Sequence, residues 1–340
     1  MTVSNSSFSS NWAPARKVVG RLAPSPTGAQ HVGNARTYLL AWLHARLQGG
    51  RVVLRMEDID SPRVKPGAAE EAIVDLKWLG LDWDEGPDVG GPHAPYVQTD
   101  RLSLYRQHLE RLIEWQLIYP CTCTRKDVET AASAPHLDGE PPPYAGTCRF
   151  RSPQDASALD ADKFVWRLHT SDQPRTIIDL VRGPCSMNVA RDLGDFVIAK
   201  GTGVPAYQLA VVADDHAMGI TEVLRGDDLL PSAFRQLELY EHFGYQSPQF
   251  AHLPLVVGPD GRRLAKRHGD TRLSWLRSQG MKAETLIGWI AYHSKLLDEL
   301  RPITACQLLG DLRPTMLEQV PAEPLILHPH DVAWLLAQDQ

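Results

Sequence analysis

A chain of 340 residues, 43% of them hydrophobic and 22% charged, is long enough for two or three compact units and has the balance of a globular protein. Its formal net charge of −6 argues against a nonspecific nucleic-acid coat protein, while leaving room for a specific RNA ligand at a local patch. No apolar run approaches the roughly 18 residues of a membrane span, and the polar opening MTVSNSSFSSNW lacks the apolar stretch of a secretory signal.

Residues 1–15 therefore read as a disordered leader. KVVGRLAPS predicts a short buried strand that Pro24 and Pro26 terminate, since proline cannot continue a central ladder. From Gly33, NARTYLLAWLHARLQGG carries apolar or small residues at helical spacing and stops at two glycines. RVVLRMEDID predicts a second strand ending in acids, and GAAEEAIVDLKWLGL and RLSLYRQHLERLIEWQ two amphipathic helices. Strand and helix in alternation predict an α/β fold, a doubly wound (Rossmann-type) parallel sheet whose first half spans 16–119. Residues 120–195 change character, opening with the Pro-, Ala- and Gly-rich PCTCTRKDVETAASAPHLDGEPPPYAGTCRFR and continuing in strand-like segments. They read as an inserted module. The second half of the sheet returns over 196–272, and 273–340 reads as a helical C-terminal segment.

Four groups of residues suggest chemistry. The strand, glycine turn and helix around His31 and Gly33 present backbone N–H groups and a positive dipole end, which suit phosphate; the plain alternative is a surface histidine on an ordinary turn. Glu57, Asp58 and Asp60 lie at a strand end, where open α/β sheets bind ligands, or form a solvated turn. GPDGRRLAKRHGD is a mobile basic loop carrying Arg263 and Lys266. Finally, five cysteines without a signal peptide indicate a reducing, cytoplasmic setting, and Cys121, Cys123 and Cys148 cluster. Three thiolates and a fourth ligand, Tyr144 or His136, suit a closed tetrahedral structural zinc site. Cys185 and Cys306 read as core thiols, as Met218 and Leu224 read as core, and Asp214 and Asp215 as structural acids at a sheet end.

RLAPSPTGAQHVGNAR followed by GGRVVLRMEDIDSPR resembles the amino-terminal half of the class I glutamyl-type aminoacyl-tRNA synthetases. The family's HIGH element falls on His31-Val32-Gly33-Asn34, with asparagine in place of the second histidine. GVPAYQLAVVADDHAMGITEVLRGDDLL resembles the second half of that sheet, and Arg263-Leu264-Ala265-Lys266-Arg267 the KMSKS loop. The resemblance implies that Arg21, Ala23, Ser25, Glu57, Tyr207 and Arg225 surround L-glutamate, with Glu57 on its amino group. It places ATP, accompanied by Mg2+, on His31, Gly33, Asn34, Arg263 and Lys266, with His31 and Lys266 catalytic. The Cys-x-Cys…Tyr…Cys set resembles the short glutamyl-Q subgroup, which implies one zinc ion per chain and favours Tyr144 as fourth ligand. That subgroup's reaction follows: glutamate is activated without tRNA and passed to the queuosine base in the anticodon loop of tRNA-Asp, by a monomer. The short stretch beyond the basic loop leads us to expect no full anticodon-binding region. The alternatives are a truncated glutamyl-tRNA synthetase charging tRNA-Glu, and a catalytically silent module of the same fold.

Overall fold

The computed structural model describes residues 17–59, 64–131, 142–264 and 270–337. The expected leader, Asp60, His136 and Lys266 lie outside the described residues.

Strand β1 (Val19–Leu22) is buried along its whole length and passes through Pro24 and Pro26 into helix α1 (Val32–Leu47), which returns the chain to strand β2 (Arg51–Leu54), parallel to β1. Gly20 permits this close crossover, since a Cβ there would lie 2.9 Å from the Cβ of Ala45 on α1. Helices α2 (Ala68–Trp78) and α3 (Leu102–Glu114) follow. The chain then forms β3 (Ile118–Cys121), α4 (Arg125–Ala131), β4 (Val165–Leu168), a hairpin of β5 (Pro174–Asp179) and β6 (Gly183–Asn188), the short α5 (Val189–Asp192) and β7 (Val197–Lys200). After α6 (Tyr207–Ala217), strands β8 (Glu222–Gly226) and β9 (Gln249–Leu253) form a second parallel pair around α7 (Leu230–Phe243). The two pairs meet where the Thr221 N–H donates to the Val19 carbonyl at 2.9 Å and the Val19 N–H to the Thr221 hydroxyl at 2.8 Å.

Alternation along these strands feeds two cores, one on each face. Val52, Leu54, Leu224 and Ala251 join α1 in one core, and Val53, Val223 and Phe250 join residues of α3, α6 and α7 in the other. This is the doubly wound arrangement expected from the alternation of elements. Its ligand position is the carboxyl edge between β1 and β8, where the crossovers diverge to opposite sides.

Three expectations need correction. The antiparallel sheet β3–β4–β7 runs on to Lys200, so it passes the boundary expected at residue 195. The C-terminal segment is not purely helical. Between α8 (Leu273–Ser278), α9 (Ala283–His293), α10 (Ala305–Asp311) and the last helix α11 (Pro329–Ala337), strand β11 (Leu325–Ile326) pairs parallel with β10 (Val256–Val257). Pro321 and Pro324 hold that stretch out of a helix. Cys306 is exposed, so it is not a core thiol, whereas Cys185, half-buried on β6, packs against the edge of one core. Among the described residues no helix is long and apolar enough to cross a membrane.

Candidate active site

At the carboxyl ends of β1, β2 and β8 lies a cavity of about 600 Å³. Arg21, Ala23, Ser25, His31, Gly33, Asn34, Glu57, Tyr207, Arg225 and Arg263 all line it.

The floor is charged and deeply buried. Arg55 follows β2 and is wholly buried; its Nη2 donates to Glu57 at 2.8 Å, and its Nη1 lies 2.8 Å from Asp215. Burial opposes its charge, but Asp215, Glu57 and Asp214 outweigh that and raise its pKa well above the ordinary value. Arg21 faces the same Asp215 at 3.3 Å. Asp214 is taken up by Arg101 Nε at 2.7 Å, by Gln98 at 2.9 Å and by the Tyr105 hydroxyl. Asp58 accepts from the Thr99 N–H and hydroxyl, 41 positions along the chain, which makes it a structural cross-link.

Arg225, at the end of β8, is 4% exposed. Its Nε donates to His252 Nε2 at 3.1 Å, and among the described residues neither Nη1 nor Nη2 has a hydrogen-bond partner. A buried guanidinium fork with both Nη groups unpaired is a strong attractor for a carboxylate, whose geometry it matches. Burial, reinforced by Glu57, raises the pKa of Tyr207, so its phenol remains a neutral donor beside the fork.

His31 caps α1. Its Nδ1 accepts the Gly33 N–H at 3.1 Å, while Asn34 Oδ1 accepts the His31 N–H at 3.1 Å. This reciprocal capping box accounts for Asn34, and it places the single imidazole proton on Nε2. Burial lowers the pKa of His31, so at neutral pH the ring is an uncharged donor at the positive end of a helix. A side chain at residue 33 would press its Cβ to 3.0 Å from the His31 ring, so glycine keeps the mouth open. Beyond β10, Arg263 reaches Asp228 at 2.8 Å and holds the base of the basic loop against the cavity rim.

In the inserted module, the sulfurs of Cys121, Cys123 and Cys148 lie within 4.8 Å of one another, a group that can hold a metal ion. Cys123 and Cys148 sulfurs are 3.7 Å apart, and the Tyr144 hydroxyl lies 3.3 Å from Cys121 Sγ and 3.6 Å from Cys123 Sγ. Metal–sulfur bonds of about 2.3 Å in a tetrahedron require sulfur separations of roughly 3.8 Å, so the donors are already near the needed spacing.

Over residues 17–297 the sequence matches the tRNA synthetases class I (E and Q), catalytic domain. The chain belongs to this family. A class I relative from Symbiobacterium thermophilum, named glutamyl-Q tRNA(Asp) synthetase, is 50% identical over 319 residues, which cover 93% of this chain and 98% of that one. A protein of the same name from Rhodopirellula baltica is 48% identical over 313 residues, covering 88% and 92%. The crystal structure of a glutamate-tRNA synthetase from Elizabethkingia anophelis matches with a TM-score of 0.79 and 28% identity, over 94% of this chain and 70% of that one.

Seen as a class I synthetase site, the cavity also depends on residues that sequence reading did not single out. Arg55 stands two residues before Glu57 on an extended segment and therefore faces the same side; that spacing was readable. Asp179 and His252, which stand behind Arg225, are 73 positions apart and carry no local signal.

Proposed function

We propose that this chain activates L-glutamate with ATP, without tRNA, and transfers the glutamyl group to a hydroxyl of queuosine in the anticodon loop of tRNA-Asp. The observation that carries the reading is the unpaired fork of Arg225 in a cavity that also holds Arg21, Tyr207 and Glu57. Two guanidinium groups and a phenol take the side-chain carboxylate, and Glu57 takes the ammonium group. The α-carboxylate is then left free to attack the α-phosphorus in line. The new carboxylate–phosphorus bond forms as the bond to the bridging oxygen breaks, and pyrophosphate departs. The Nε2–H of His31 and the positive dipole end of α1 stabilise the phosphate charge, and Lys266 closes over it. Mg2+ enters with ATP as part of the substrate. Transfer to queuosine is favoured by the identities of 50% and 48% to relatives bearing the glutamyl-Q name. The enzyme would work in the cytoplasm as a monomer.

Cys121, Cys123, Tyr144 and Cys148 would hold one zinc ion, which would cross-link the inserted module without entering the reaction. Metal analysis should find one zinc per chain in the purified protein and none in the Cys121→Ser variant. Zinc retained by that variant removes Cys121 from the set.

ATP–pyrophosphate exchange should require glutamate but no tRNA, and labelled glutamate should appear on queuosine-containing tRNA-Asp. Product only on the acceptor end of tRNA-Glu would make the chain a glutamyl-tRNA synthetase, and no exchange would make it a silent module. Lys266→Ala should slow exchange about 10²-fold or more, as expected for a group that stabilises charge on the transferring phosphate. An unchanged rate would take Lys266 out of the mechanism.

A further inference from the structure

We infer that Asp179 and His252 are positioning residues for Arg225, a buried relay that turns both guanidinium Nη groups into the cavity and so sets the preference for a carboxylate over an amide side chain. The inference rests on the proposed glutamate activation.

The relay is built from three elements. Asp179, at the end of β5, is 2% exposed and its Oδ2 lies 2.6 Å from His252 Nδ1. Its Oδ1 accepts the backbone N–H groups of Val181, Arg182 and His252 at 2.9 to 3.1 Å, which fixes the carboxylate in place. His252, on β9, is wholly buried, and its Nε2 accepts from Arg225 Nε at 3.1 Å. An arginine can donate but never accept, so His252 Nε2 must present its lone pair and the ring proton must sit on Nδ1, facing Asp179. The relay takes up only Nε of Arg225, and the ring of Phe250 lies 5.5 Å from the guanidinium. Nη1 and Nη2 are thereby presented as a pair of donors that no group among the described residues accepts from. A carboxylate satisfies both; the –NH2 of a glutamine side chain would face a donor with a donor. Sites built this way discriminate strongly because the wrong ligand leaves buried groups unpaired.

The same logic gives a pH dependence. A proton on His252 Nε2 would replace the acceptor with a donor facing Arg225 Nε–H and release the fork. The charged and titratable groups around the ring are Arg225 on β8, Asp227 just after it, Asp179 on β5, Arg182 paired with Asp227, and Cys185 on β6. Burial is the largest influence on the ring and, with Arg225, holds its pKa below the ordinary histidine value, against Asp179 and Asp227. Glutamate binding should therefore be level at neutral pH and weaken on acidification below it.

The test is steady-state ATP–pyrophosphate exchange with glutamate and glutamine, from about pH 5.5 to 8. Asp179→Asn is isosteric and can still accept the three backbone N–H groups, but its amide nitrogen donates to His252 Nδ1 and drives the ring proton to Nε2. It should raise the glutamate KM at least about tenfold, leave the ATP KM within about twofold, and narrow the glutamate-over-glutamine preference. His252→Phe should do the same. His252→Gln, whose amide oxygen can accept from Arg225 without titrating, should recover part of the loss and show no rise in KM in acid. An unchanged glutamate KM in Asp179→Asn, an ATP KM that rises as much as the glutamate KM, or an acid rise that persists in His252→Gln overturns the relay. If Asp179→Asn does not fold, the acid limb of His252→Gln decides. A wild-type protein without glutamate-dependent exchange defeats the underlying function instead.

Discussion

Arg225→Gln should lower kcat/KM for glutamate in adenylate formation by about 10³-fold, within the 2–5 kcal/mol typical for truncating one partner of a buried, hydrogen-bonded charge pair. The variant removes both unpaired Nη donors and the only charge on β8 that faces the cavity. Arg225→Lys should recover little, because an ammonium offers a point charge where the site presents a planar fork. The unliganded protein should behave in the opposite way. Burial lowers the pKa of Arg225 and, among the described residues, two of its nitrogens have no hydrogen-bond partner, so the unliganded protein holds a buried charge that the proposed ligand would satisfy. Thermal melting of Arg225→Gln should therefore show no loss of stability, separating a binding defect from unfolding. Measuring kcat/KM for glutamate together with Tm checks both statements. An unchanged kcat/KM would detach Arg225 from the amino-acid site.

The sequence made the site legible where a ligand contact and a local pattern coincide. Pro24 and Pro26 end β1, the glycine turn follows, and His31 caps α1, so one short stretch supplies a long wall of the cavity. Tyr207 at the start of α6 and Arg225 at the end of β8 were readable only through the family resemblance, and both line the cavity. What escaped was held by distant pairing. β11 reaches β10 across the whole C-terminal segment, and β7 turns back to β4 although its composition would also suit the parallel sheet. The Asp179–His252 contact joins a hairpin of the inserted module to β9. Neither residue stands in a pattern that marks it, and only the meeting of β5 with β9 gives them a partner. Asn34 was a different case: read as a departure from a ligand-binding motif, it proves to be half of a capping box.

The second large effect concerns stability. Arg55→Met should destabilise the protein by about 3–5 kcal/mol, the usual cost of breaking a buried ion pair by removing one partner. Arg55 is wholly buried, and its side chain stands 2.8 Å from both Glu57 and Asp215 and 3.6 Å from Asp214. The three acids fare differently when it is gone. Asp214 keeps Arg101 at 2.7 Å, and Asp215 keeps Arg21 at 3.3 Å, but among the described residues Glu57 is left without another ionic partner. The deficit therefore falls on Glu57 and, in part, on Asp215. Urea denaturation should show a lower midpoint with an unchanged m value, since the loss is in the folded state rather than in the surface exposed on unfolding. Pairing Arg55→Met with Glu57→Gln should recover part of the loss, because the uncompensated carboxylate is the main source of it, whereas pairing with a change at Asp214 should recover little. A loss below about 1 kcal/mol for Arg55→Met, the range of an exposed pair, would mean that water reaches the floor of the cavity. Full recovery in the Asp214 double variant would move the deficit to the wrong carboxylate. Because Glu57 also lines the cavity, Arg55 links two properties: the cation that keeps the folded core electrically balanced also fixes the carboxylate proposed to meet the amino group of glutamate.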